Sequence, residues 1–115
     1  MIPCQKDLCL LYLYMLQVED IRELCKDDNI VLTAHFLAKM RQRNIRWEDI
    51  KSTIKNGQII EQYPTNYPFP SCLINWANLH IVCSVGNGLL YIITAYRPSQ
   101  EKWEADNSVR KGDKQ

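Results

Sequence analysis

The sequence predicts an α+β fold, with two or three N-terminal helices packed on one face of a three- to four-stranded antiparallel sheet. Three observations carry this. Apolar residues recur at helical spacing as far as Asn56, the period shortens to that of a strand after Gly57, and two turn sequences, Ala77-Asn78 and Gly86-Asn87-Gly88, divide the strand-like region into hairpins. Helices first and strands after gather the helices on one side of the sheet.

Val18, Ile21, Leu24 and Cys25 lie three and four apart, with acidic residues early and Lys26 late as the helix dipole prefers, so a helix is predicted over 17–26, ended by Asp27-Asp28-Asn29. Ile30-Val31-Leu32 is a brief apolar run. Thr33 then stands where an N-cap belongs before residues 34–43, which contain no Gly or Pro, and Asn44 stops this second helix. Trp47, Ile50 and Ile54 mark a third helix over 47–55, with Asn56-Gly57 as its stop. The strands are 58–63, closed by Pro64, then 71–76, 79–85 and 89–96. Between the first two lies a loop containing Pro68 and Pro70. Beyond Trp103 the only large apolar residue is Val109, so residues 104–115 read as a disordered polar tail.

With 115 residues, 46% of them hydrophobic, the chain can build one modest core, which excludes a two-domain enzyme. Fourteen Lys and Arg against 13 Asp and Glu give a net charge of +1, which names no partner. The five cysteines include no Cys-x-x-Cys pair and no histidine at zinc-finger spacing, so neither a disulfide framework nor a metal is expected and a reducing, cytoplasmic setting fits best. The apolar stretch 8–16 is about half the roughly 20 residues a membrane span requires, so no membrane association is expected. The basic leader and small-residue cleavage site of a signal peptide are also missing. Residues 1–14 read as a doubtful leader, with Met15 as a possible true start and residues 15–103 as the single domain.

Charge is unevenly spread. Glu19, Asp20, Glu23, Asp27 and Asp28 make the first helix region acidic, whereas Lys39, Arg41, Arg43, Arg46, Lys51 and Lys55 make residues 39–55 basic, a candidate surface for an anion or a solvated pair of helix faces. His35, Lys39 and Arg43, four apart, line one stripe of the second helix, with Phe36, Leu37 and Met40 on the other side, which is expected to be buried. An imidazole with two cations suits a phosphodiester, because cations stabilise charge on phosphoryl oxygens and histidine moves protons near neutral pH.

His80 falls on the strand face opposite Leu79 and Ile81, and its cross-strand partner is Ala95 if the turn is Asn87-Gly88 or Thr94 if the loop has three residues. Glu61, the only acidic residue in the predicted sheet, shares a face with Ile59 and Tyr63 and is either solvated or paired with a helix cation. The aromatics can stack RNA bases or fill the core, and Cys72 and Cys83 read as core.

Thr33-Ala34-His35, Lys39-Met40, Arg43-Asn44-Ile45, Trp47-Glu48-Asp49-Ile50, Asn56-Gly57, Ile60-Glu61-Gln62-Tyr63-Pro64, Leu79-His80-Ile81-Val82 and Ile93-Thr94-Ala95-Tyr96-Arg97-Pro98, up to Trp103, together resemble the bacterial and archaeal family called domain of unknown function 4258, over about residues 30 to 104. Members of that family are similar to the RelE/ParE superfamily of small toxins. The resemblance implies a RelE-like fold and a toxin-like endoribonuclease, or an inactive relative, restrained by a zinc-ribbon antitoxin of the kind paired with MqsR. The chain departs from the family's pattern at Lys39, normally Arg, and at Asn44, often Gly; Lys39 keeps the charge but lacks the planar fork that grips phosphate.

The function expected is metal-independent RNA cleavage by attack of the ribose 2′-hydroxyl on the adjacent phosphate, without a cofactor, with RNA or the ribosome and an antitoxin as partners. His35 or His80 serves as general acid or base, Glu61 as a base or orienter, Arg43 with Lys39 stabilises the phosphorane, and Thr94 and Tyr96 contact the nucleotide. The alternative is a non-catalytic module of the same fold that binds a protein partner or RNA. The two-histidine mechanism requires His35, Arg43, His80 and Tyr96 to converge.

Overall fold

The computed structural model describes residues 15–104 and 107–111, so the predicted leader lies outside the described residues. Helix α1 spans Val18–Leu24, shorter than predicted because Asp27–Asn29 tighten into a turn of 3-10 helix. Helix α2 is Ala34–Arg43. The Thr33 hydroxyl accepts from the Phe36 amide at 2.9 Å, and Asn44 ends the helix in the left-handed region at φ 56°. Helix α3 is Trp47–Asn56, its start fixed by the Asp49 carboxylate accepting from the Arg46 amide at 2.9 Å. Arg22 then secures α1 to the far end of α3, donating to the Ile54 and Gly57 carbonyls at 2.9 and 2.8 Å.

Gly57 joins α3 to the sheet where there is no room for a side chain. A Cβ there would lie 2.5 Å from the Thr53 carbonyl oxygen and 2.8 Å from both the Asn75 oxygen and Ile74. The sheet has five strands rather than three or four: β1 (Ile30–Val31), β2 (Gln58–Tyr63), β3 (Ser71–Trp76), β4 (Leu79–Gly86) and β5 (Leu89–Tyr96), in the order β1-β5-β4-β3-β2. The last four form the expected antiparallel meander. The brief apolar run before Thr33 adds a two-residue edge strand parallel to β5, so the sheet is mixed.

Two bulges correct the face assignments. The β4–β5 turn is the two-residue Asn87-Gly88 form, both residues at positive φ, yet one extra residue in β5 shifts the register after Cys83, and His80 pairs with Tyr96 rather than with Ala95 or Thr94. In β2 a register shift between Ile59 and Glu61 puts Ile59 opposite Ile74 and Glu61 opposite Leu73. Ile59 thus faces the helices and Glu61 the other side, with Tyr63 only.

Ile21, Phe36, Met40, Ile50 and Ile54 from the helices meet Cys72, Ile74, Ile81, Cys83, Leu90, Ile92 and Ala95 from the sheet in one core. The buried Cys72 and Cys83 thiols sit within it as a cross-strand pair, Sγ to Sγ 3.9 Å. Leu37, expected to be buried, is 43% exposed at the margin of α2. Among the described residues no helix is long and apolar enough to cross a membrane.

Candidate functional site

The sheet face away from the helices carries the polar cluster. Register brings Tyr96 on β5 beside His80 on β4, with Glu61 on β2 facing the same side. Residues 107–111, read from the sequence as disordered tail, lie over this face. Trp103 and Arg110 pair as a β-bridge, and the Lys111 amide donates to the Lys102 carbonyl at 2.7 Å.

His80 is fully buried. Its Nε2 lies 2.7 Å from the Asn107 carbonyl oxygen, which can only accept, so the ring proton resides on Nε2 and Nδ1 faces the Tyr96 hydroxyl at 3.4 Å. Trp103 packs edge-on against the imidazole with ring centres 4.4 Å apart. Burial holds His80 below the usual histidine range, against the Asn107 hydrogen bond and the nearby Glu61 charge, which raise it.

Glu61 is paired, but with no helix cation. Arg110 grips its two carboxylate oxygens at 2.8 and 3.1 Å, and the Tyr63 hydroxyl donates to one of them. The Arg110 hydrogen bond holds Glu61 below the usual carboxylate range despite partial burial. Tyr63 is pushed up to about 12 by burial, reinforced by its bond to Glu61, and burial also raises Tyr96. The Arg110 guanidinium stacks over Trp103 at 4.6 Å, connecting the Glu61 pair to the His80 pocket.

The remaining predicted residues do not join this network. His35 is exposed on α2, the helix whose Phe36 and Met40 pack on the opposite side of the sheet, so the two histidines do not converge. Lys39 lies half-buried on the same helix. Arg43 reaches β5, where it donates to the Ala95 carbonyl at 2.7 Å and the Thr94 hydroxyl at 3.3 Å, joining helix to strand. Of the predicted set, Glu61, His80 and Tyr96 share the cluster. Sequence reasoning missed Arg110, Tyr63 and Trp103 as members; the one signal was a tryptophan at the head of a polar stretch. Among the described residues no group of three or more His, Cys, Asp or Glu forms a metal-binding set.

The family model described as Domain of unknown function (DUF4258) matches residues 32–97, taking in Glu61, His80 and Tyr96 but not Arg110. No curated protein and no solved structure matches the chain.

Proposed function

Because this chain belongs to the DUF4258 family, we propose that it is a RelE-like, toxin-type endoribonuclease that cleaves RNA without a metal, at the cluster on the helix-free face of the sheet. One observation carries the proposal: a carboxylate, a guanidinium, an imidazole and two phenols lie in one connected network there. Attack of the ribose 2′-hydroxyl requires a base, an acid for the leaving 5′-oxygen and positive charge on the phosphorane. Glu61 supplies the base, His80 in its protonated, imidazolium form the acid, and Arg110 the charge, while Tyr96 stacks on or hydrogen-bonds the nucleotide. His35 has no part in this scheme, and Arg43 and Thr94 position the second helix. The setting is cytoplasmic, with RNA or the ribosome as target and a zinc-ribbon antitoxin as restraint.

The test is cleavage of RNA by the purified chain in EDTA. Glu61→Gln and Arg110→Ala are each expected to reduce the rate by roughly 10² or more; an inert wild type whose expression leaves growth unchanged overturns the reading. A second reading, a non-catalytic module that binds a protein partner, is favoured by the burial of His80 with both ring nitrogens occupied. It predicts that His80→Gln, Glu61→Gln and Arg110→Ala proteins keep full biological effect while co-purifying with a small partner.

A further inference from the structure

The cluster carries the groups for proton transfer, yet each is already engaged. Glu61 is held by Arg110 and Tyr63, and the His80 Nε2 proton goes to the Asn107 carbonyl. Both ties run to residues 107–110, which cross the open face beside Trp103. We propose that residues 107–110 form a latch over the open-face cluster, fastened by Arg110 to Glu61 and by Asn107 to His80, and opened by the phosphodiester backbone of RNA. The inference rests on the nuclease reading for what the latch covers.

The two ties differ in access. The outer one is open to solvent, with the Arg110 and Glu61 side chains 41% and 23% exposed, whereas the inner one is buried. A phosphate offers guanidinium the same two-pronged acceptor geometry as a carboxylate, so a polyanion can take Arg110 from Glu61 without first entering the buried pocket. Release of Arg110 leaves Glu61 free to accept a proton. It also removes the cation stacked on Trp103 and weakens the hold of residues 107–110 on His80.

Asn107 and the backbone also hold the latch. Asn107 sits at φ 64°, its side-chain carbonyl accepts from Gln100 at 2.6 Å, and its amide donates to Asn78 at 3.2 Å. The backbone adds Asn107 amide to Glu104 carbonyl and Glu104 amide to Val109 carbonyl, both 2.8 Å. A β-branched residue cannot sit comfortably at that φ and makes neither side-chain bond. Asn107→Val therefore loosens the latch, and with it the hold on His80, while the Glu61, His80, Tyr96 and Arg110 side chains stay in place.

The experiment is amide hydrogen exchange at residues 107–111 of the full chain, with and without a mixed-sequence 2′-O-methyl RNA oligonucleotide, which presents the phosphodiester backbone but cannot be cleaved. The oligonucleotide is expected to accelerate exchange there about tenfold, and Asn107→Val to do so without RNA. Unchanged or slower exchange on adding the oligonucleotide overturns the latch. In the cleavage assay Asn107→Val is expected to be faster than wild type by about three- to tenfold; accelerated exchange with slower cleavage also overturns it, because the closed segment is then the working arrangement. If no protein cleaves RNA the nuclease reading fails, and exchange alone decides the latch. Should Asn107→Val not fold, Gln100→Ala removes one tie and is read in the same way.

Discussion

On the face that carries the helices, the sheet meets them through apolar side chains supplied by every helix and all five strands. On the other face, a few residues after Trp103 are held by an ion pair, a histidine hydrogen bond and ring contacts. The first arrangement is non-directional and scales with buried area; the second depends on which groups are ionised and which partner each retains. The contrast separates a face whose stability comes from buried area from one whose contacts depend on protonation. Losses on the helix face should be large and insensitive to pH, and losses on the open face smaller and governed by protonation.

The largest effect is expected from Phe36→Ala. Phe36 is 1% exposed and anchors α2 in the core, so the substitution should destabilise by about 3–5 kcal/mol in denaturant titration. A loss below about 1 kcal/mol would mean that α2 is not seated on the sheet by this side chain. Next comes Gly57→Ala. Two of the three atoms that its Cβ would meet are backbone carbonyl oxygens, which cannot turn aside, so α3 and β3 must separate slightly, at about 1–3 kcal/mol. A neutral Gly57→Ala would place the junction in a looser geometry.

Open-face stability should fall with acid. His80 and Glu61 are both held below their ordinary values, so the unfolded chain binds more protons than the folded one wherever they titrate, and stability falls as pH drops. The His80 contribution is whole above its ordinary value of 6.5 and is lost as pH falls through its lower folded value; that of Glu61 follows below 4.5. Facing His80 are the Asn107 carbonyl, Glu61, Tyr96 and Arg110; the Asn107 hydrogen bond and the Glu61 charge oppose the shift, and Arg110 adds to it. The melting temperature should therefore decline between pH 7 and pH 5, and His80→Gln should flatten that decline. An equally steep wild-type and His80→Gln profile would move the effect elsewhere.

How much of this the sequence discloses depends on the range of the interaction. Thr33, Asn44, Gly57 and the Asn87-Gly88 turn write their geometry into one or two residues, and helix ends and hairpins could be read from them. Which side chains face one another could not. The extra residue in β5 that brings His80 opposite Tyr96, and the shift that parts Glu61 from Ile59, are properties of two strands packed together. Likewise β1 is a strand only because β5 lies beside it. The Arg110 partnership with Glu61 spans 49 residues and carries no local signal, so a polar stretch that reads as tail becomes a wall of the cluster.

The smallest effect is expected where the sequence argument placed one of its strongest candidates. His35, Lys39 and Arg43 do line one side of α2, but only Arg43 reaches the sheet, and its bonds go to the Ala95 carbonyl and the Thr94 hydroxyl. His35 is the second residue of the helix, exposed, on the side of the sheet away from His80. Removing an exposed side chain outside any buried network changes stability by no more than about 0.5 kcal/mol, and alanine is the better helix former. His35→Ala should therefore match wild type in denaturant midpoint and in any RNA cleavage, under conditions where His80→Gln loses both stability and activity. A His35→Ala protein that folds normally but loses cleavage would break the comparison between the faces, because it would place the chemistry on the helix side and make the open-face cluster a structural support.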